Sequence, residues 1–312
     1  MKKVLKIIGC ILLVIAVLIA ALLFNLSKRP AVPNNYTETV KTGGQLEAKY
    51  IAMGEHEVSY FESYAAMSFK KYEIYYPSDI SDMSDSLPVV VFVNGTGITG
   101  SKYSALQKHL ASRGFITIAT EEEFAWNGFS AEMCARYLEL LNEKEGQVNG
   151  KDNIFYGKID LERIGITGHS QGGFGVVNAV TDQKHSDVYK AAVILSCADT
   201  KSSNDFQWTA DDTLIKVPTM IIGSTGILDS KIASLEGLQK LYDAIPNGVT
   251  KLIARRNDAD HGDMLYYADG YVTAWFMYYL AGDSDAGTAF FGDDAEILTN
   301  PLYQDQQVST AK

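Results

Sequence analysis

The five residues Gly168-His169-Ser170-Gln171-Gly172 put a hydroxyl between two glycines at the end of an apolar run. Ile164 and Ile166 precede them as in a buried strand. Phe174, Val176, Val177 and Val180 follow with the spacing of a helix that packs inward. Strand, sharp turn and helix push Ser170 out at the apex. A serine hydroxyl is a weak nucleophile until a base takes its proton, and an acid must orient that base. The same glycines also suit an ordinary turn whose serine caps the helix. The other two partners decide between these readings.

Five histidines are present. His56 and His109 precede Ser170, whereas this turn goes with the chain order nucleophile, acid, histidine. His169 adjoins Ser170 and points elsewhere in a tight turn, and His185 follows the helix and belongs at the far end of the sheet. That leaves His261, in "NDADHGDML" after the strand expected to be last, as the base. Asp229 is the first carboxylate after "VPTMIIGST" and is the expected acid. Glu236 in the same segment and Asp199 after the preceding strand are its alternatives. Asp258 and Asp260 stand too near His261 in sequence to brace it and read as solvated loop charges. A negative oxygen formed during acyl transfer needs donors. The expected ones are the backbone N–H of Gln171, at a helix start, and of Thr96 in "NGTG", where Gly95 and Gly97 permit close approach.

These groups need a frame that brings distant segments to one rim. Short apolar runs such as "PVVVFV", "FITIAT", "AAVILS" and "TMIIG" alternate with helix-patterned stretches such as "SALQKHLASRGF" and "SAEMCARYLELLNEKE". That alternation predicts an α/β fold with a mostly parallel central sheet and helices on both faces. Ligands of such sheets sit at the carboxyl ends of the strands, where Ser170 falls. Only about twenty residues separate "AAVILSCA" from "VPTMIIGST", room for a small flap with Phe206 or Trp208 at its rim and not for a large lid. Phe124 and Trp126, after the fourth strand, are candidate substrate-pocket walls, with His169 beside them.

A formal net charge of -11 argues against a nucleic-acid partner, which needs a basic face. Three cysteines without paired spacing make neither a disulfide framework nor a metal site, and no phosphate or dinucleotide loop is present, so no cofactor and no metal are expected. The N-terminus is organised separately. Lys2, Lys3 and Lys6 in residues 1–6 precede an uncharged apolar run from Ile7 to Phe24. At about 1.5 Å per residue this run nearly crosses a hydrocarbon layer of roughly 30 Å. No small-x-small cleavage pattern follows it. Residues 7–24 are therefore expected to be a membrane signal-anchor or a cleaved signal peptide, with the rest outside the cytoplasm. Residues 25–50 read as a tether, 51–290 as the catalytic domain and 291–312 as a tail.

With "VVVFVNGTG", "HLASRGF", "GHSQGG", "VPTMIIGS" and "DADHGDM" in place, residues 70 to 282 resemble the α/β-hydrolase superfamily. Within it the chain is similar to the chlorophyllase-like and polyester-hydrolase-like, cutinase-type branch. The resemblance implies a cofactor-free serine esterase with Ser170, Asp229 and His261 as triad and with Thr96 and Gln171 at the oxyanion. It differs from the polyester hydrolases in having Thr96 where an aromatic is usual, and Ala198 or its neighbours where another aromatic clamps the substrate. The expected partner is a small, lipid-like or polymeric ester. A serine peptidase or acyltransferase on the same fold, and a catalytically silent tethered binding protein, are the alternatives.

Overall fold

The computed structural model describes residues 29–197 and 208–311. The expected anchor at 7–24, its flank at 1–6, Asp199 and Phe206 lie outside the described residues. Among the described residues no helix is long and apolar enough to cross a membrane.

Strands β1 (Val58–Tyr64), β2 (Lys71–Pro77), β3 (Leu87–Val93), β4 (Ile116–Thr120), β7 (Ile159–His169), β8 (Tyr189–Leu195), β9 (Thr219–Ser224), β10 (Lys251–Arg256) and β11 (Tyr303–Ser309) form one sheet. The two-residue strands β5 (Gln147–Val148) and β6 (Lys151–Asp152) pair apart from it. The order is β1-β2-β4-β3-β7-β8-β9-β10-β11. The block from β4 to β10 is parallel, β2 and β11 run against it, and the edge strand β1 pairs antiparallel with β2. This is the mostly parallel α/β sheet that the alternating pattern predicts, and the α/β-hydrolase architecture that the resemblance implies.

Side chains alternate across each central strand. Val89, Val91, Ile166 and Ile194 join the core beneath the helices Phe129–Glu143, Gln171–Thr181 and Leu235–Ala244. Val90, Phe92, Val193 and Ile222 join the core beneath Ser104–Ser112 and Asp269–Ala281. Both faces are covered, which is why these strands read as unbroken apolar runs. From β3 the chain crosses to β4 on one side, and β7 fills the other. The sheet thus reverses its winding between β3 and β7, and at such a switch point sheets of this kind take their ligands, outside the strands' carboxyl ends.

The two ends of the chain depart from expectation. The expected tether carries helices Tyr36–Thr39 and Gln45–Ile51, and Val32, Tyr36, Tyr50 and Ile51 are buried in the core shared with the Asp269–Ala281 helix. Tyr36 donates to Asp269 at 2.6 Å, and His109 Nδ1 meets the same carboxylate at 2.6 Å. Glu47 accepts from Asn300 Nδ2 and the Tyr303 hydroxyl, each at 2.8 Å, while Glu296 accepts from the backbone of Leu46 and Glu47. The expected tail supplies β11, so β10 is not the last strand. Isolated aromatics among polar residues hide the first packing, and the polar edge sequence "YQDQQVS" hides the second.

Candidate active site

β7 ends at His169, and Ser170 takes φ 56° and ψ -124° before the Gln171–Thr181 helix begins. A non-glycine residue rarely holds that conformation, so the surroundings must enforce it. Ser170 N donates to Leu195 O at 2.8 Å, and Gly173 N donates back to Ser170 O at 2.9 Å. Both motif glycines are sterically required. A Cβ on Gly168 would stand 2.3 Å from Gly172 O, and one on Gly172 would stand 2.2 Å from Val93 O.

The loop after β3 lies against this turn, with a Cβ on Gly95 reaching to 3.1 Å from His169 O. Three ties hold it. Gly95 N donates to the buried Tyr103 hydroxyl at 3.0 Å, Asn94 Nδ2 donates to Thr120 O and Glu122 O at 2.7 and 2.8 Å, and Gly97 N donates to Glu123 O at 2.9 Å. Thr96 is the exposed residue between the tied ones, while Gln171 is buried.

Asp229, fully buried after β9, meets His261 across 32 residues of chain, with Oδ1 2.7 Å from Nδ1. Its other oxygen accepts from Ser224 N. Burial pushes the Asp229 carboxyl up, but the donors around it, His261 first, then Ser196 and Ser224, outweigh burial and hold it below the usual carboxylate value. The Ser196 and Ser224 hydroxyls do not reach hydrogen-bond geometry, so the Ser224 amide is the firmer donor. An ionised carboxylate only accepts, so Nδ1 of His261 carries a hydrogen and Nε2 is the ring nitrogen left for another partner.

His169, expected at the substrate pocket, is buried instead and supports the loop that carries His261. Its Nε2 lies 2.7 Å from His261 O, and the two rings are 4.6 Å apart. A carbonyl only accepts, so this nitrogen carries the hydrogen. Burial, helped by the neighbouring His261, pushes the His169 imidazole down to about 3, so the ring stays neutral. Residue 261 therefore stands on the same rim as Ser170, in contact with its immediate neighbour.

Asp260, partly exposed as its loop position suggests, also binds main-chain groups. Its Oδ1 accepts from both Asp229 N and His261 N at 2.8 Å, and these backbone donors lower its carboxyl. Nothing in the sequence spacing signals these contacts, nor the Tyr103 and Asn94 ties. Glu236 is solvent-exposed and pairs with Lys240 at 2.8 Å, so it takes no part at the rim. His185 is engaged by Glu132 at 2.9 Å, as its expected remoteness requires. Phe124 is exposed after β4, Trp126 packs partly buried against the core, and Trp208 meets Phe174 edge-on at 5.5 Å. Among the described residues no group of three His, Cys, Asp or Glu side chains is arranged to hold a metal ion.

Several known ester hydrolases are similar to this chain in sequence. The chain is 27% identical over 199 residues to the bis(hydroxyethyl) terephthalate hydrolase of Streptomyces coelicolor, covering 64% of this chain and 57% of that one. It is 25% identical over 222 residues to cutinase 2 of Thermobifida cellulosilytica, covering 70% and 76%. Chlorophyllase type 0 of Chenopodium album matches at 23% over 181 residues, half of each chain. The chain thus spans somewhat over half the length of the Streptomyces enzyme. Since the PET hydrolase-like family model matches residues 38–293, most of the sequence and all of the rim described above, the chain belongs to the PET hydrolase-like family.

Proposed function

We propose that the protein is a serine carboxylic-ester hydrolase with Ser170 as nucleophile, His261 as base and Asp229 as acid. The observation that carries this reading is the 2.7 Å contact between buried Asp229 and His261, made on the rim where Ser170 occupies its strained turn. His261 Nε2 takes the Ser170 proton as Oγ bonds to the ester carbon. The carbonyl electrons move to oxygen, and the N–H groups of Thr96 and Gln171 donate to it. Each such donor lowers the barrier by about 2.7–4 kcal/mol. Collapse expels the alcohol, protonated by His261, and leaves an acyl-serine. Water, deprotonated by His261, then releases the acid and restores Ser170.

The similarity to a bis(hydroxyethyl) terephthalate hydrolase and to cutinases supports aromatic and aliphatic esters as the substrate class, with Phe124 and Trp126 at the pocket mouth. The lysine-flanked apolar run at 7–24 supports a location outside the cytoplasm, tethered or released. N-terminal sequencing of protein from membrane and medium distinguishes the two. A fluorophosphonate should label the protein once, at Ser170, and it should turn over p-nitrophenyl butyrate. Ser170→Ala should abolish labelling and cut kcat by about 10⁵–10⁶. Labelling elsewhere, or turnover that survives in Ser170→Ala, rejects the assignment.

A further inference from the structure

We infer that Asp260 is a positioning residue for hydrolysis, a single carboxylate oxygen that sets the distance between the acid and the base. The inference rests on the triad reading above. Asp229 and His261 come from different loops, after β9 and β10, and their side chains touch at one hydrogen bond. Asp260 Oδ1 fastens the backbone of both loops at once, accepting from Asp229 N and His261 N, each at 2.8 Å. One acceptor atom thus fixes two amides whose side chains must meet to within a few tenths of an ångström.

The backbone of Asp260 is itself held. Asp260 N donates to Asp263 Oδ2 at 3.0 Å, and Asp263 N donates to Asp260 O at 2.9 Å, closing a small ring ahead of the Asp263–Leu265 turn. The acid loop can approach this closely only because residue 226 is glycine. A Cβ there would stand 2.4 Å from Ala259 O and 2.6 Å from Asp260 Oδ1. Gly226 and Asp260 are therefore two halves of one fitting, and each can be perturbed without touching substrate. His169 supports the same loop from the strand side through the His261 carbonyl, so the imidazole is braced at its backbone N–H and C=O as well as at Nδ1.

Misplacing a catalytic group by about 1 Å costs on the order of 10²-fold in rate. Asp260→Ala should lower kcat between about tenfold and 10²-fold while KM moves less than about threefold, because substrate contacts are untouched. Asp260→Asn keeps an oxygen acceptor and should recover most of the rate. Gly226→Ala, which displaces the carboxylate without removing it, should reproduce the Asp260→Ala defect. Rates are taken per fluorophosphonate-titrated site, so unfolded protein does not count.

A second readout does not depend on turnover. The His261 Nδ1 proton, bonded to buried Asp229, should give a low-field proton resonance that is absent in His261→Ala. It should move upfield or broaden in Asp260→Ala and persist in Asp260→Asn. If Asp260→Ala keeps the resonance and the per-site kcat, or if the asparagine variant is as impaired as the alanine, the inference is overturned. If His261→Ala retains full activity, the triad reading fails instead, and the resonance still reports whether Asp260 aligns the pair.

Discussion

Asp229→Asn isolates the acid's contribution with almost no change in volume. In the parent, one carboxylate oxygen accepts from His261 Nδ1 and the other from Ser224 N. Asparagine has one acceptor oxygen, and the two positions compete for it. The Ser224 donor is backbone at the end of β9 and cannot turn away, so the amide oxygen should face it and the NH₂ should face His261. A donor opposite Nδ1 forces the imidazole hydrogen onto Nε2, the nitrogen that takes the Ser170 proton in the proposed reaction. The expected loss in kcat is about 10⁴, equivalent to roughly 5 kcal/mol of barrier, with KM within a few-fold. Were the amide turned the other way, Ser224 N–H would lose its partner at a cost of about 1–3 kcal/mol in stability, so a normal melting temperature identifies the first orientation. p-Nitrophenyl butyrate kinetics and the rate of fluorophosphonate labelling should fall together. A variant within tenfold of the parent in both measurements refutes Asp229 as the acid.

Two further outcomes follow from the same geometry. Unfolded His169 titrates near about 6.5, while the folded ring is pushed down to about 3, so protons bind the unfolded chain preferentially between those values. Stability should therefore fall as pH drops through that window, and His169→Gln should remove that slope, so the variant gains on the parent in urea midpoints between pH 7 and pH 4. An unchanged slope contradicts the buried, neutral ring. Gly172→Ala places a methyl 2.2 Å from the Val93 carbonyl, which is backbone and cannot swing aside, so it should destabilise by on the order of 3 kcal/mol, read as a lower melting temperature.

Much of the rim was legible because its residues carry strong type constraints. Ser170 announces itself through two glycines that the turn requires sterically, and His261 emerges because few histidines follow the motif. Asp229 could be ranked first only by its place after β9, and its contact with His261 depends on sheet order that spacing does not encode. The main-chain contacts of Asp260 are hidden from the sequence for a physical reason. Being next to His261 prevents its side chain from bracing the ring, but not from accepting main-chain amides on either side of the gap. The Tyr103 and Asn94 ties were invisible because a hydroxyl or amide that bonds backbone has no partner residue type to match. The fold's centre was readable from continuous apolar runs. Its margins were not, since β11 is polar and the N-terminal helices bury a few aromatics without periodicity.

The buried carboxylate of Glu47 has a consequence for synthesis of the chain. Two of its donors, Asn300 and Tyr303, lie more than 250 residues downstream, and the other comes from Gly43. A chain still emerging from the ribosome has Ser170, Asp229 and His261 before it has those two donors. Until they arrive, closing the first helices onto the sheet would bury carboxyl oxygens short of their hydrogen-bond partners. The N-terminal segment should therefore stay undocked during translation and settle last, once the final strand has been released.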